Sequence, residues 1–451
     1  MKRSGDLTEG VVWKRLFMFF IPIAVGTLIQ QLYNAVDGFI VSKFVGTEAL
    51  AAVGGSTAQI INVLIGFFVS ITSGASVIIA QIFGAGRDEN VNKATGSAVK
   101  FCAIIGVVVM VFGLIFTPWM LELLKTPEDT IADAITYLRI YFLGVPFIMI
   151  LNMESNLLRA VGDSTSPFYY MIAGCGSNIV LDFVFVVFFH WDVAGVAIAT
   201  VIAQIVNMAL LTFNLVRTKE SYKLNIRDFN IDWRYIGAMM RIGVPSGLQS
   251  LMYSVSNAII QVSVNLLGTT VVASWAMTGK TDGFYWAITS AFGTAVTAFI
   301  GQNLGAGRKD RNKDCVKQGL IMAVLMAVGM SVLLLASGIP VLRLLSDDAE
   351  VVETSYRMMV YMVPFYFIWS FIEVISAVLK GSGDAVNPVI IIGIGICLFR
   401  IIWMKTVFAY YSNVLSLCLS YDVSWFITAI ALVIYYKVGK WDKSSGRIID
   451  K

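Results

Sequence analysis

Apolar residues run through this chain in long stretches rather than in the narrow stripes of helices packed on one face. A hydrocarbon core of about 30 Å takes about 20 helical residues to cross. Stretches of that length recur twelve times, at 15–44, 50–84, 94–117, 131–158, 166–189, 194–216, 240–266, 270–300, 316–338, 353–379, 387–410 and 413–437, separated by short polar segments. A backbone in lipid must satisfy its own hydrogen bonds, so each stretch is read as an α-helix. The pattern predicts an all-α integral membrane protein with twelve transmembrane helices. The first stretch follows a polar segment at 1–10 and is much too long for the apolar part of a signal peptide, so it is read as a retained helix.

Composition agrees with this pattern. The chain has 451 residues, 57% of them hydrophobic and 14% charged, with a mean hydropathy of +0.78, against roughly 25% charged in a soluble domain. With the N-terminus inside, most of the 33 basic residues fall in inner segments, which is the positive-inside distribution of a multi-pass plasma-membrane protein with both termini cytoplasmic. The clusters are Lys2, Arg3, Lys14 and Arg15; Arg217 to Arg241, including Arg227; Arg308 to Lys317; and Lys437, Lys440, Lys443, Arg447 and Lys451. The net charge of +4 is therefore topological and does not point to nucleic acid. Five scattered cysteines without a C-x-x-C pair form neither a disulfide frame nor a zinc site. The single histidine, His190, lies beside Trp191 at a helix end, where an interfacial role fits better than a proton relay.

The chain repeats itself. IPIAVGTLIQQLYNAV around Pro22 answers GVPSGLQSLMYSVSNA around Pro245, and Gln81-IFGAGRDEN answers Gln302-NLGAGRKDRN. GVPF at 144–147 answers MVPF at 362–365, and LRAVGDSTSP answers LKGSGDAVNP. Four blocks in one order at one offset of about 220 residues make an internal duplication. Six helices per repeat give both copies the same orientation, an arrangement used by transporters that bind near the midplane. The expected domains are a first lobe at 1–217, a linker at 218–240 and a second lobe at 241–451. The linker alternates basic residues with Tyr222, Leu224, Ile226, Phe229, Ile231 and Trp233 and is expected along the inner surface. Neither GAGR loop has nucleotide-binding spacing; their glycines are read as helix ends and tight turns, with Arg87 and Arg308 at the inner boundary.

Acids inside apolar stretches cost about 2.5 to 3.5 kcal/mol on insertion scales, which singles out Asp37 in the first helix and Asp182 in the fifth. Asn178 precedes Asp182 by four residues and shares its face. The sixth helix adds Thr200, Gln204 and Asn207. Counting about 1.5 Å per residue puts Asp37, Asp182 and Thr200 in the outer half of one lobe. Two carboxylates, an amide and a hydroxyl at one level suit a proton or Na⁺. The alternatives left open are separate structural hydrogen bonds, or an Asp37 that reaches the interface beside Lys43.

These residues resemble a known family. The doubled pattern, the proline-bearing first and seventh helices, the paired GAGR loops and the G-D-x-x-x-P turns are similar to those of the multidrug and toxic compound extrusion (MATE) transporters, over essentially the whole chain. Asp37, Asn178, Asp182 and Thr200 resemble the N-lobe cation site of the branch named for a DNA-damage-inducible efflux protein, with Tyr33 and Asn152 as neighbours. The resemblance implies two pseudo-symmetric six-helix lobes around a cleft. It implies export of organic, often cationic or aromatic, small molecules in exchange for inward H⁺ or Na⁺, with no cofactor, no catalysis and a functional monomer. It also implies a first helix that bends at Pro22. The other large branch carries acids in helices seven and ten; here 246–266 has none and the tenth helix only Glu373, so a second-lobe Na⁺ site of that kind is not implied.

The second lobe carries Lys280, Asp282, Glu373, Arg400 and Lys405 inside or beside its apolar stretches. Arg400 falls near mid-membrane and needs a partner; Asp282 or Glu373 is expected, with Lys280 joining the network, as either a structural bridge or part of transport. Glu154 with Arg159 and Glu373 with Lys380 are expected as interfacial pairs. Two functions compete. One is a secondary multidrug exporter; the other is a lipid-linked sugar flippase or polysaccharide exporter, which calls for a basic cleft to hold pyrophosphate.

Overall fold

The computed structural model describes residues 5–225, 230–439 and 441. Twelve long helices follow one another: α1 Val12–Val45, α2 Ala49–Gly84, α3 Asp88–Leu123, α4 Ile131–Ala160, α5 Thr165–Phe188, α6 Asp192–Arg217, α7 Trp233–Asn265, α8 Thr269–Gly305, α9 Lys309–Leu345, α10 Ala349–Gly381, α11 Val386–Tyr410 and α12 Val414–Val438. There is no β-strand among the described residues. Among the described residues, eleven helices are long and apolar enough to cross a membrane, and α7 falls short of that apolarity. Ser246, Gln249, Ser250, Ser254, Asn257 and Gln261 dilute its apolar character, and it packs lengthwise against α2 of the other lobe.

Helices α1–α6 and α7–α12 form two lobes, each with its own core. The first is centred on residues such as Ile78, Leu138, Phe142 and Met149, the second on Met358, Tyr366, Cys418 and Trp425. A third apolar cluster joins the lobes, where Leu16 and Phe20 of α1 meet Phe292 and Phe299 of α8. Pro22 does not break α1. Wider π-turns interrupt the spans instead, at Val41–Val45, Ile61–Ile65, Phe183–Phe188 and Gly393–Leu398. One begins immediately after Asp182 and another ends two residues before Arg400, in keeping with the tendency of π-bulges to occur at functional positions.

The repeated motifs have repeated structural reasons. Gly86 and Gly307 take positive φ (74° and 72°) and cap α2 and α8 with paired backbone bonds, a conformation a side chain strains. Gly84 and Gly305 serve close approach: a Cβ on Gly84 would collide with the Gln302 backbone, and one on Gly305 with the Gln81 backbone. At that same end Gln81 Nε2 donates to the carbonyl of Gly381 (2.9 Å). Gln302 Nε2 donates to the carbonyl of Ala160 (2.8 Å). The two bonds are related by the repeat, and each crosses from one lobe to the other, so the bundle is closed at its GAGR end. The segment before α1 lies over this closure. Leu7 N donates to Gln302 Oε1 (3.0 Å), and Arg311 donates to the carbonyls of Leu7 (3.1 Å) and Gly10 (2.6 Å).

The segment between the lobes is tied to the first. Tyr222 and Leu224 are buried against its core, Asn92 donates to the carbonyl of Lys223 (2.5 Å), Lys100 to that of Asn230 (2.9 Å), and Ser97 Oγ accepts from Asp232 N (2.9 Å). Asp232 caps α7, accepting from Arg234 N at 3.0 Å, and hydrogen bonding from the Arg234 side chain holds its carboxyl below the ordinary aspartate range. Trp233 is exposed. Ile226, Arg227 and Phe229, like Lys2, Arg3, Lys440, Lys443, Arg447 and Lys451, lie outside the described residues.

Candidate functional site

The first lobe encloses a polar cavity of about 330 Å³ whose walls include Tyr33, Asn152, Arg159, Asn178, Gln204 and Asn207. The carboxyls lie around Tyr33, which has Asp37 and Asp182 as electrostatic neighbours, and the two acids are neighbours of each other. Asp182 is fully buried, and neither of its oxygens has a hydrogen-bond donor among the described residues. Oδ1 of Asp37, both polar atoms of the Asn178 amide, Thr200 Oγ1 and Asn207 Oδ1 are likewise buried and unpartnered. Asn152 differs, because its amide donates to the Ile148 carbonyl (2.8 Å) within its own helix. Tyr137 and Tyr141 stack at 6.2 Å beside the acids.

Most buried polar groups in folded chains have partners, and several oxygens around this carboxylate pair have none among the described residues. Adjacent carboxylates repel unless a proton or a cation joins them, and amide and hydroxyl oxygens complete the coordination of a small hard cation. Among the described residues no three His, Cys, Asp or Glu side chains come together as a metal-holding group. The donor set suits H⁺ or Na⁺.

Around the second-lobe charges, the helices meet differently from the expectation. Arg400 pairs with neither Asp282 nor Glu373 among the described residues. Its Nε donates to Ser424 Oγ (3.0 Å) and its guanidinium lies 3.7 Å from the centre of the Tyr421 ring. Lys280 is exposed and lies outside the cavity that Asp282, Glu373 and Arg400 line, because two helical positions rotate it about 200° away from Asp282. That cavity, about 580 Å³, is lined by aromatic residues such as Trp286, Trp369 and Trp425 and by polar ones such as Asn257, Gln261 and Thr278. Glu373 borders it and two others, of about 250 and 310 Å³. Glu154 is buried in the lobe and accepts from Thr212 (2.6 Å) in place of Arg159. Glu373 and Lys380 share the 250 Å³ cavity between the lobes without an ion pair among the described residues.

A sequence profile of the MatE family matches residues 22–184 and matches again over 245–404. The chain belongs to the MatE family. The two matches start at Pro22 and Pro245, so the internal repeat is the family's own unit twice. Among curated relatives, the chain is similar to the probable multidrug resistance protein YoeA of Bacillus subtilis, 28% identical over 387 residues that cover 84% of this chain and 83% of that protein. It is also similar to the multidrug export protein MepA of Staphylococcus haemolyticus, 24% identical over 76% of each chain. Among solved structures it superposes on an outward-facing MATE multidrug resistance transporter with a TM-score of 0.90 at 21% identity, covering 100% of this chain and 99% of that one. A Pyrococcus furiosus transporter described by the reverse polarity of its binding pocket gives 0.90 at 22% identity, covering 97% and 98%. At these identities the structural matches establish the two-lobe fold alone.

Members of the MatE family are transporters, and this chain is a multi-span membrane transporter. Asp422 is the residue that sequence reasoning misses. It lies on α12, buried, with both oxygens unpartnered among the described residues and Arg400 as a charged neighbour. Its signal is the one that singles out Asp37, an acid within an apolar span.

Proposed function

We propose that this MatE-family protein is a secondary multidrug exporter in which inward H⁺ or Na⁺ movement through the first lobe drives efflux of organic, cationic or aromatic compounds by alternating access. The observation that carries it is the cluster of buried, unpartnered oxygens of Asp37, Asn178, Asp182 and Thr200 beside a polar cavity. Tyr33, Asn152, Gln204 and Asn207 are the neighbours through which a bound compound feels the state of the site. The relatives named for multidrug export support the substrate range.

The cycle follows from electrostatics. A proton or Na⁺ entering from outside joins the acid pair, and membrane potential contributes about 2.3 kcal/mol per charge per 100 mV. If the ion-loaded and compound-loaded forms favour opposite conformations, exchange of one for the other moves the compound outward. The bodies that rock are a first lobe at 1–217 and a second at 241–451, joined by 218–240, with Pro22 as the bend in α1. The protein acts as a monomer in the plasma membrane with both termini cytoplasmic and needs no cofactor. A lipid-linked sugar or polysaccharide exporter fits less well, since Arg159 is the single base in the lining of the first-lobe cavity.

The test is dye efflux from proteoliposomes under an imposed pH or Na⁺ gradient. Asp37→Asn and Asp182→Asn are expected to abolish gradient-driven efflux, and undiminished efflux in both variants sinks the site.

A further inference from the structure

The first-lobe cavity runs lengthwise through its lobe. Tyr33 and Asn178 border it beside the acid pair, while Arg159, in the last turn of α4, and Pro167, in the first turn of α5, border its other end. About 20 Å of α5 separates Thr165 from Asn178. The cavity therefore leads from the acids toward the GAGR end, where the lobes are closed.

One base stands at that end. Arg159 is the single charged residue in the cavity lining. Its Nε is buried without an acceptor among the described residues. The acids near it in the chain are engaged elsewhere: Glu154 accepts from Thr212 (2.6 Å), and Asp163 caps α5 by accepting from Thr165 N (3.0 Å) and Ser166 N (2.9 Å). No ion pair among the described residues cancels its charge. A fixed charge acts further inside a protein than in water, and an arginine beside a polar passage is a barrier to protons and cations.

The position of Arg159 also follows the state of the lobes. The next residue, Ala160, gives its carbonyl to Gln302 Nε2 across the lobe interface (2.8 Å), and the backbone of Gly5 packs against that of Gly162. While these contacts hold, the end of α4 keeps Arg159 at the inner end of the cavity. Parting of the lobes at the GAGR end releases it.

We propose that Arg159 is an electrostatic gate: its charge holds back a proton or Na⁺ bound at the acid pair while the GAGR end is closed, so that the ion leaves inward only after the lobes part there. Arg159 acts on the ion through its field and not by contact. The proposal rests on the first-lobe ion site and adds to it the group that prevents slip, the passage of an ion without export of a compound.

The test measures slip directly. Proteoliposomes holding the full-length protein are given an inward pH gradient or, separately, an inward Na⁺ gradient, with no exportable dye. Influx is followed with a trapped pH indicator or with radioactive Na⁺. Arg159→Gln is expected to raise influx of the coupling ion by about 10-fold or more. Arg159→Lys keeps the charge and is expected to stay within about 3-fold of wild type; equal influx in the two variants overturns the proposal. Adding Asp182→Asn to Arg159→Gln is expected to return influx to the wild-type level, because the slipping ion passes the acid pair. Influx that persists in the double variant marks a bundle opened by damage and overturns the proposal, as does unchanged influx in Arg159→Gln under both gradients. If Arg159→Gln fails to fold, Asn156→Asp carries the test. It sets an acid in the same cavity one turn before Arg159 and is expected to raise influx by offsetting the charge; unchanged influx under both gradients overturns the gate. Gradient-driven dye export that survives both Asp37→Asn and Asp182→Asn sinks the ion site and the gate with it. Export lost in those variants, together with no slip in Arg159→Gln, sinks the gate alone.

Discussion

Asp182 is buried with no donor for either oxygen among the described residues, a placement that costs several kcal/mol unless a cation or proton offsets it. Neutralising it therefore separates stability from function. Asp182→Asn is expected to keep or raise the thermal unfolding temperature while abolishing ion-driven export, and a variant that melts far below wild type would identify Asp182 as a structural group. Proton loading also fixes the sign of a pH effect. If the proton displaces the exported compound, its apparent Kd rises as pH falls in the wild type and stays flat in Asp182→Asn; titration of dye binding at several pH values measures this. Tyr435 is structural by contrast. Its hydroxyl donates to Asp384 Oδ2 (2.6 Å), tying α12 to the turn before α11, and Tyr435→Phe is expected to cost about 1–2 kcal/mol in denaturant unfolding with little effect on efflux. At this scale the sequence singled out Asp37 and Asp182 as acids interrupting apolar runs and passed over Asp422, which carries the same signal. It did not reveal the partner of Arg400, because a π-turn ending just before it changes the face that residue presents.

The helix ends at the GAGR loops form the second scale. Gln81 and Gln302 bridge the lobes with two bonds to backbone carbonyls, each worth about 0.5–1.5 kcal/mol net. Replacing both glutamines by alanine is expected to shift the balance toward opening at this end by roughly 5- to 100-fold, read as faster labelling of cysteines placed near Gly84 and Gly305. Gly84→Val acts in the opposite sense to a simple loss of bonds, since its side chain cannot fit against Gln302; export should fail although the protein still folds. The α7 cap supplies a control. Arg234 keeps the Asp232 carboxyl below its ordinary range, so the cap's contribution is fully present above an unfolded value of about 3.9 and is lost only as pH falls through the lower folded value. A change in transport near neutral pH therefore does not arise from this cap. The loop glycines were legible as turns and helix ends from GAGR itself, whereas the pairing of each glutamine with the opposite lobe was not.

For the molecule as a whole, closure at one end and exchange between two lobes predict opposed motions. Spin labels on Lys93 and Lys317, both exposed near the GAGR end, are expected to separate when labels on Leu123 and Leu344, at the far ends of α3 and α9, draw together. Distance distributions that vary independently at the two ends would count against rocking lobes. Membrane-spanning helices, their duplication and the bias of basic residues follow from the chain alone, because crossing a membrane is a one-dimensional problem in which length, apolarity and charge placement decide the outcome; the more polar α7 is the helix that apolarity does not mark. The same arithmetic placed Asp37, Asp182 and Thr200 at one depth. Tertiary structure decided which faces meet: Arg400 with Ser424 and Tyr421, Glu154 with Thr212, Glu373 at the junction of three cavities, and the two glutamines across the lobes. Those contacts depend on helix rotation, π-turns and the docking of one repeat on the other, and no periodicity along a single helix encodes the position of its neighbour.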